Sequence, residues 1–175
     1  MTKTECPRLL IVDDDPSILR LVEMVLKKSF GSVLTIECVS NAQEAIARIN
    51  SGDVELLVTD LEMPEVSGLE LLRRAKKQKP CTQVLLLTGS TDSASLLDAL
   101  EMGACDYLVK PVDLQMLEQL VGEAMQRLAR WKQALRETWA KKRITERVQL
   151  QSRKIKTPSA GTHHFDSSCP SGIPE

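Results

Sequence analysis

Apolar and polar positions follow two rhythms along the chain. Short, nearly continuous runs of Val, Leu and Ile recur at residues 8–12, 33–39, 55–59, 83–88 and 105–109, the pattern of strands buried on both faces. Between them the apolar residues fall at helical spacing. Ile18, Leu21, Val22, Val25 and Leu26 make one face; Ala42, Ala45, Ile46 and Ile49 a second. Leu69, Leu71, Leu72 and Ala75 make a third, and Leu96, Leu97 and Leu100 a fourth. The alternation predicts an α/β fold, a doubly wound five-stranded parallel sheet with helices on both faces, ending near residue 125. Helix-start chemistry agrees: Asp15 precedes Pro16, Ser40 or Asn41 can cap the second helix, and Ser67 or Gly68 opens the third.

Residues 113–153 break this rhythm, because only Gly122 interrupts them. A helix of that span is roughly 60 Å long, and a small sheet edge covers only its first turns. Its later turns are therefore expected to project. Leu117, Val121, Ala124, Leu128, Trp131 and Leu135 step by four and three, the a/d spacing of a coiled coil, and the pattern then weakens through Trp139, Ile144 and Val148. Residues 156–175, KTPSAGTHHFDSSCPSGIPE, lack apolar periodicity and are expected to be disordered.

Charge sharpens this division. Residues 1–126 carry 20 acidic and 12 basic side chains, whereas residues 127–175 carry 4 acidic and 11 basic ones. An acidic body thus bears a basic tail. A charge run is ordinarily a solvated face, although nucleic acid or an anionic membrane would also attract one. The five cysteines are scattered, with no C-x-x-C pair, and read as reduced thiols. No apolar stretch approaches the roughly 20 residues that span a bilayer, and the start, MTKTECPR, lacks the apolar core of a secretory signal, so the expected location is cytoplasmic.

Ligands of a doubly wound sheet bind beyond the carboxyl ends of its strands. Here the first strand ends in Asp13-Asp14-Asp15, the third in Asp60, the fourth in Thr88-Gly89 and the fifth in Lys110-Pro111. Three adjacent aspartates make one another costly to ionise unless something compensates. Clustered carboxylates without a nearby histidine or thiolate suit a hard cation, and Mg2+ uses one or two carboxylates together with waters and phosphate oxygens. Beside such an ion Asp60 can attack phosphorus to give an aspartyl phosphate. Lys110 would balance charge on the phosphoryl oxygens, and the Thr88 hydroxyl could donate to one of them.

The motifs VDD at 12–14, TDLEMPEVSG at 59–68, LLLTG at 85–89 and MGACDYLVKP at 102–111 resemble the response-regulator receiver domain of two-component signalling, in order over residues 8 to about 125. The resemblance implies a flavodoxin-like strand order 2-1-3-4-5 and a receiver over residues 6–125. It implies Asp60 as phosphoacceptor, and Mg2+ held by Asp13, Asp14, Asp60 and the backbone carbonyl of Glu62. Thr88 and Tyr107 would be the switch pair, Lys110 would contact the phosphoryl group through a cis Lys110-Pro111 segment, and Glu62 and Ser90 would tune phosphoryl lifetime. The implied partners are a sensor histidine kinase or phosphotransfer protein upstream and a protein downstream, with a homodimer through the C-terminal helix as one form of output. The protein would be a switch, catalysing only its own phosphorylation and dephosphorylation.

Two other readings compete. VDDDPS superficially resembles the D-x-D signature of haloacid-dehalogenase-type phosphatases, with Asp13 as nucleophile, but no acidic pair follows Lys110 and Asp60 is left without a role. A scaffold that no longer takes phosphate is the other, and the intact acidic set argues against it. The tail shows no second compact domain with helix-turn-helix punctuation, which argues against specific DNA reading.

Overall fold

A computed structural model describes residues 6–89 and 93–155, with side chains described at 6–89 and 94–146. Ser90 and the segment 156–175 lie outside the described residues. The chain divides between Ala134 and Leu135 into two compact units, and each is described by itself.

In the first unit, strands β1 (Arg8–Val12), β2 (Thr35–Val39), β3 (Val54–Asp60), β4 (Gln83–Thr88) and β5 (Asp106–Val109) alternate with helices α1 (Pro16–Phe30), α2 (Ala42–Asn50), α3 (Gly68–Gln78) and α4 (Ser93–Glu101). The sheet order is β2-β1-β3-β4-β5, and every pairing is parallel. The chain steps from β1 to β2 on one side, then crosses to β3 on the other. The order therefore reverses between β1 and β3, and a crevice opens at their carboxyl ends.

Alternation along each strand sends side chains to opposite faces. Leu9, Ile11, Leu56, Val58, Leu85 and Leu87 pack with Val22 and Leu26 of α1 and with Leu117, Val121 and Leu128 of the last helix, α5 (Leu114–Ile155). Leu10, Val12, Leu57 and Leu86 pack on the other face with Ala45 and Ile49 of α2, Leu71 and Leu72 of α3 and Ala99 of α4. Helix starts are fixed by side-chain acceptors: Asp15 accepts from Ser17 N at 2.7 Å, Asn41 from Gln43 N at 2.7 Å and Asp113 from Gln115 N at 2.9 Å. Ser67 stands at the N-cap of α3 without a side-chain bond.

Two helix faces differ from the sequence reading. α1 buries Leu19 with Val22 and Leu26, while Leu21 is exposed. α4 turns Ala99 to the sheet and leaves Leu97 60% and Leu100 68% exposed. Leucines at helical spacing mark a face, but the side chain this helix buries is the small Ala99, in the cluster of Leu71, Leu72 and Leu86. The outward leucines, with Leu96, Ala104 and Tyr107, instead line a groove of about 410 Å³ between α4 and β5.

At the opposite end of the sheet, Glu55 at the start of β3 accepts from Lys79 at 2.7 Å and from Lys132 of α5 at 2.6 Å. In the second unit α5 continues as helix to Ile155, and every side chain from Leu135 to Glu146 is exposed. No helix among the described residues is long and apolar enough to cross a membrane.

Candidate functional site

Register brings the acidic residues together. Val12 of β1 lies beside Thr59 of β3, so the next residues, Asp13 and Asp60, meet at the crevice. Both are buried, at 0% and 4% exposure. One carboxylate oxygen from each of Asp13, Asp14 and Asp60 lies within 4.8 Å of the others. On the far side Thr88 of β4 pairs with Val109 of β5, and the Lys110 amide donates to the Thr88 carbonyl at 2.7 Å. This aims the Lys110 side chain back into the crevice, where Nζ donates to Asp13 Oδ2 at 2.8 Å and to Asp60 Oδ2 at 2.9 Å. The Lys110-Pro111 bond is cis.

The remaining acceptors are also held. Asp13 Oδ1 accepts from the Asp15 amide at 2.9 Å, and Asp60 Oδ1 from the Glu62 amide at 3.3 Å. Asp15 turns away to cap α1, and the Ser17 amide holds its carboxyl below the ordinary value. The acidic run is thus divided: Asp13 and Asp14 face the crevice, and Asp15 starts the helix.

Electrostatics leave this cluster short of positive charge. Burial raises the Asp13 carboxyl above its ordinary value despite the hydrogen bond from Lys110. Burial works against the Lys110 ammonium too, but the bonds to Asp13 and Asp60 outweigh it and raise its pKa. With all three carboxylates ionised and Lys110 protonated the set carries a net charge of −2 (three negative charges, one positive). Oxygen donors at this separation with that deficit fit a divalent hard cation, and their chemistry fits Mg2+.

The other sequence-derived residues surround this centre. Thr88 is fully buried at the end of β4. Tyr107 does not reach the crevice; it is 48% exposed on β5 and lines the α4–β5 groove. Glu62 is exposed, and its Oε2 stands 3.9 Å from where a Cβ on Gly89 would lie, so its side chain overhangs the fourth strand's end.

Gly68 carries more than the helix start assigned to it. A Cβ there would stand 2.3 Å from the Asp60 carbonyl oxygen and 3.0 Å from Leu61 Cα. Its amide donates to the Leu61 carbonyl at 3.0 Å. The first turn of α3 therefore lies directly on the backbone of Asp60, an approach open only to glycine. The signal in the sequence was a glycine at a first helical position, where a better helix former would ordinarily stand.

A parallel sheet with paired aspartates at its switch point and a lysine from the last strand defines a class of signalling domain. The family model of the response regulator receiver domain matches residues 9–122, and the chain belongs to that family. Transcriptional regulatory protein GlrR of Escherichia coli is 33% identical over 132 residues, 73% of this chain and 29% of that protein. Response regulator protein PilR of Pseudomonas aeruginosa is 38% identical over 120 residues, 67% of this chain and 26% of that protein. The chain thus spans less than a third of the length of these curated relatives. Among solved structures, the signal receiver domain of an HD domain-containing protein from Pseudomonas fluorescens Pf-5 aligns with a TM-score of 0.64 at 29% identity, covering 70% of this chain and 97% of that one. A BeF3-activated DrrB receiver domain aligns with a TM-score of 0.61 at 28% identity, covering 68% and 97%.

Proposed function

We propose that this protein is a phosphorylation-dependent switch in which Asp60 accepts a phosphoryl group from a phosphohistidine of a sensor kinase or phosphotransfer protein. The observation that carries this reading is Lys110 Nζ bridging Asp13 and Asp60, with Asp14 in the same cluster. In the transfer an Asp60 carboxylate oxygen forms the new bond to phosphorus, the donor's N–P bond breaks, and the imidazole leaves with the electron pair and takes up a proton. Lys110 balances the negative oxygens of the moving group, and the buried position of Asp60 excludes bulk water. Asp13, Asp14, Asp60 and the Glu62 carbonyl are the residues that would hold Mg2+, which when bound supplies charge neutralisation at the phosphoryl oxygens. Glu62, whose side chain overhangs the end of β4, and Ser90, two positions beyond Thr88 in the sequence, are both assigned to phosphoryl lifetime.

The output runs from Thr88 to the α4–β5 face. Once phosphate stands on Asp60, the Thr88 hydroxyl is drawn toward its oxygens and Tyr107 turns inward from its half-exposed position. A shift of a few kcal/mol is enough to reverse the populations of the two forms. The change is read by a protein partner at that face or through α5, which follows β5 in the chain and begins at Leu114.

The test is amide hydrogen exchange with Mg2+ and acetyl phosphate, paired with intact mass, on wild type and Asp60→Ala. The reading expects a covalent adduct and altered exchange over residues 93–110 in wild type alone. An adduct without altered exchange would refute the relay. No adduct, and no response to fluoroberyllate, would refute the switch and favour the scaffold.

A further inference from the structure

We infer that α5 docks, through Leu135 and Trp139, into an apolar groove edged by carboxylates on a different protein. Leu135 is 45% and Trp139 60% exposed, although both are large and apolar. At about 100° per residue they lie about 40° apart on one face, and the sequence continues that stripe backward to Trp131 at the same interval. Anchors at this spacing are those of a helix laid into a groove. The next turn of the same face carries Lys142 and Arg143, with Arg136 at its flank, and Lys142 Nζ lies 5.9 Å from the centroid of the Trp139 ring. The apolar stripe is therefore short and rimmed by cations, and from 135 to 146 only Glu137 and Glu146 oppose Arg136, Lys141, Lys142 and Arg143. An acid-rimmed apolar groove complements both features at once.

A second copy of this chain fits less well. With Leu128 at a, the heptad places Leu135 and then Lys142 at a, and Trp131, Thr138 and Thr145 at d. Leu117, Val121, Ala124 and Leu128 of that seam are buried against the sheet, so only Trp131 and Leu135 remain for a second copy, well short of the three to four heptads a coiled coil sustains. Trp139 falls off that seam, and pairing would set like charges together with only Lys141 and Glu146 of the partner placed to attract. A bilayer fits less well too, because the stripe covers an arc of about 80° and Ile144 stands roughly 140° away from Trp139.

The inference goes beyond the switch reading and does not need Asp60 to take a phosphoryl group. The experiment titrates the full chain with calcium-loaded calmodulin, used as a purified acidic, Met-lined groove. Expected results are a 1:1 complex with blue-shifted indole emission, released by a calcium chelator. Trp139→Ala should weaken it about 30-fold, as for a buried Trp anchor, and Trp139→Phe should restore most of the loss. The triple charge reversal Arg136→Glu, Lys142→Glu, Arg143→Glu should abolish it, while Asp60→Ala should bind as wild type. Absence of a complex, or one that Trp139→Ala and the charge reversals leave unchanged, overturns the inference. A doubled sedimentation mass with blue-shifted emission in the absence of probe overturns it in favour of a second copy. Tighter partition onto phosphatidylserine vesicles than onto the probe overturns it in favour of a membrane.

Discussion

Gly68→Ala adds one methyl group, and the structure fixes where it must go. The new carbon would stand 2.3 Å from the Asp60 carbonyl oxygen, while Cβ contacts below 3.0 Å essentially never occur. At least 0.7 Å (3.0 less 2.3) must therefore open between the first turn of α3 and the end of β3. Neither side can yield cheaply. The atoms that collide are backbone, Leu61 N is tied to the Leu87 carbonyl at 2.7 Å, and α3 is anchored by buried Leu71 and Leu72. In an ordinary helix Gly→Ala stabilises by up to about 1 kcal/mol; here overpacking reverses the sign, with a cost of about 1–3 kcal/mol. Asp60 must also move, and a misplacement on the order of 1 Å costs about 100-fold in rate. The assay is the rate of adduct formation by intact mass with Mg2+ and acetyl phosphate, beside a urea melt. The expected result is phosphorylation slowed roughly 10- to 100-fold in a protein that still folds. Wild-type rate and unchanged or increased stability would refute the close-approach argument.

Glu55→Gln tests the link between β3, Lys79 and Lys132. Burial opposes the ionised Glu55, but its two lysine bonds outweigh that and hold its pKa below the ordinary value of 4.5. A depressed folded-state pKa stabilises above the unfolded value and loses that contribution as pH falls through the folded one. The variant should thus be less stable by about 1–2 kcal/mol at neutral pH, with the gap closing below pH 4.5 in melts run across pH. Asp13→Asn removes a buried carboxylate from the crevice and should weaken Mg2+ binding about tenfold or more by calorimetry. Leu97→Ala, on the outward face of α4, should change stability by less than about 0.5 kcal/mol. Leu72→Ala, fully buried in α3, should cost about 2–5 kcal/mol in the same urea melts.

The strands were legible because a sheet covered on both faces demands near-continuous apolar runs, as in Leu9 to Val12 and Val84 to Leu87. The site was legible for a related reason: in a parallel sheet strand ends gather at one edge, so Asp13, Asp60, Thr88 and Lys110 could be placed together from their positions alone. Orientation was harder to read. The leucines of α4 mark a face by spacing, but only the contact of Ala99 with the sheet decides which way that face turns. Contacts between residues distant in sequence carried no local signature, so Glu55 gave no sign of Lys132, 77 positions away. Gly68 left only a faint one, because the backbone it touches lies across a turn.

The phosphoryl group is proposed to go to Asp60. The most direct measurement treats wild type, Asp60→Ala and Asp13→Ala with Mg2+ and acetyl phosphate, traps the acyl phosphate by borohydride reduction, and locates the reduced residue by peptide sequencing in a mass spectrometer. The expected result is modification at position 60 in wild type and none in Asp60→Ala. Modification at Asp13 that survives loss of Asp60 would contradict it and restore the phosphatase reading.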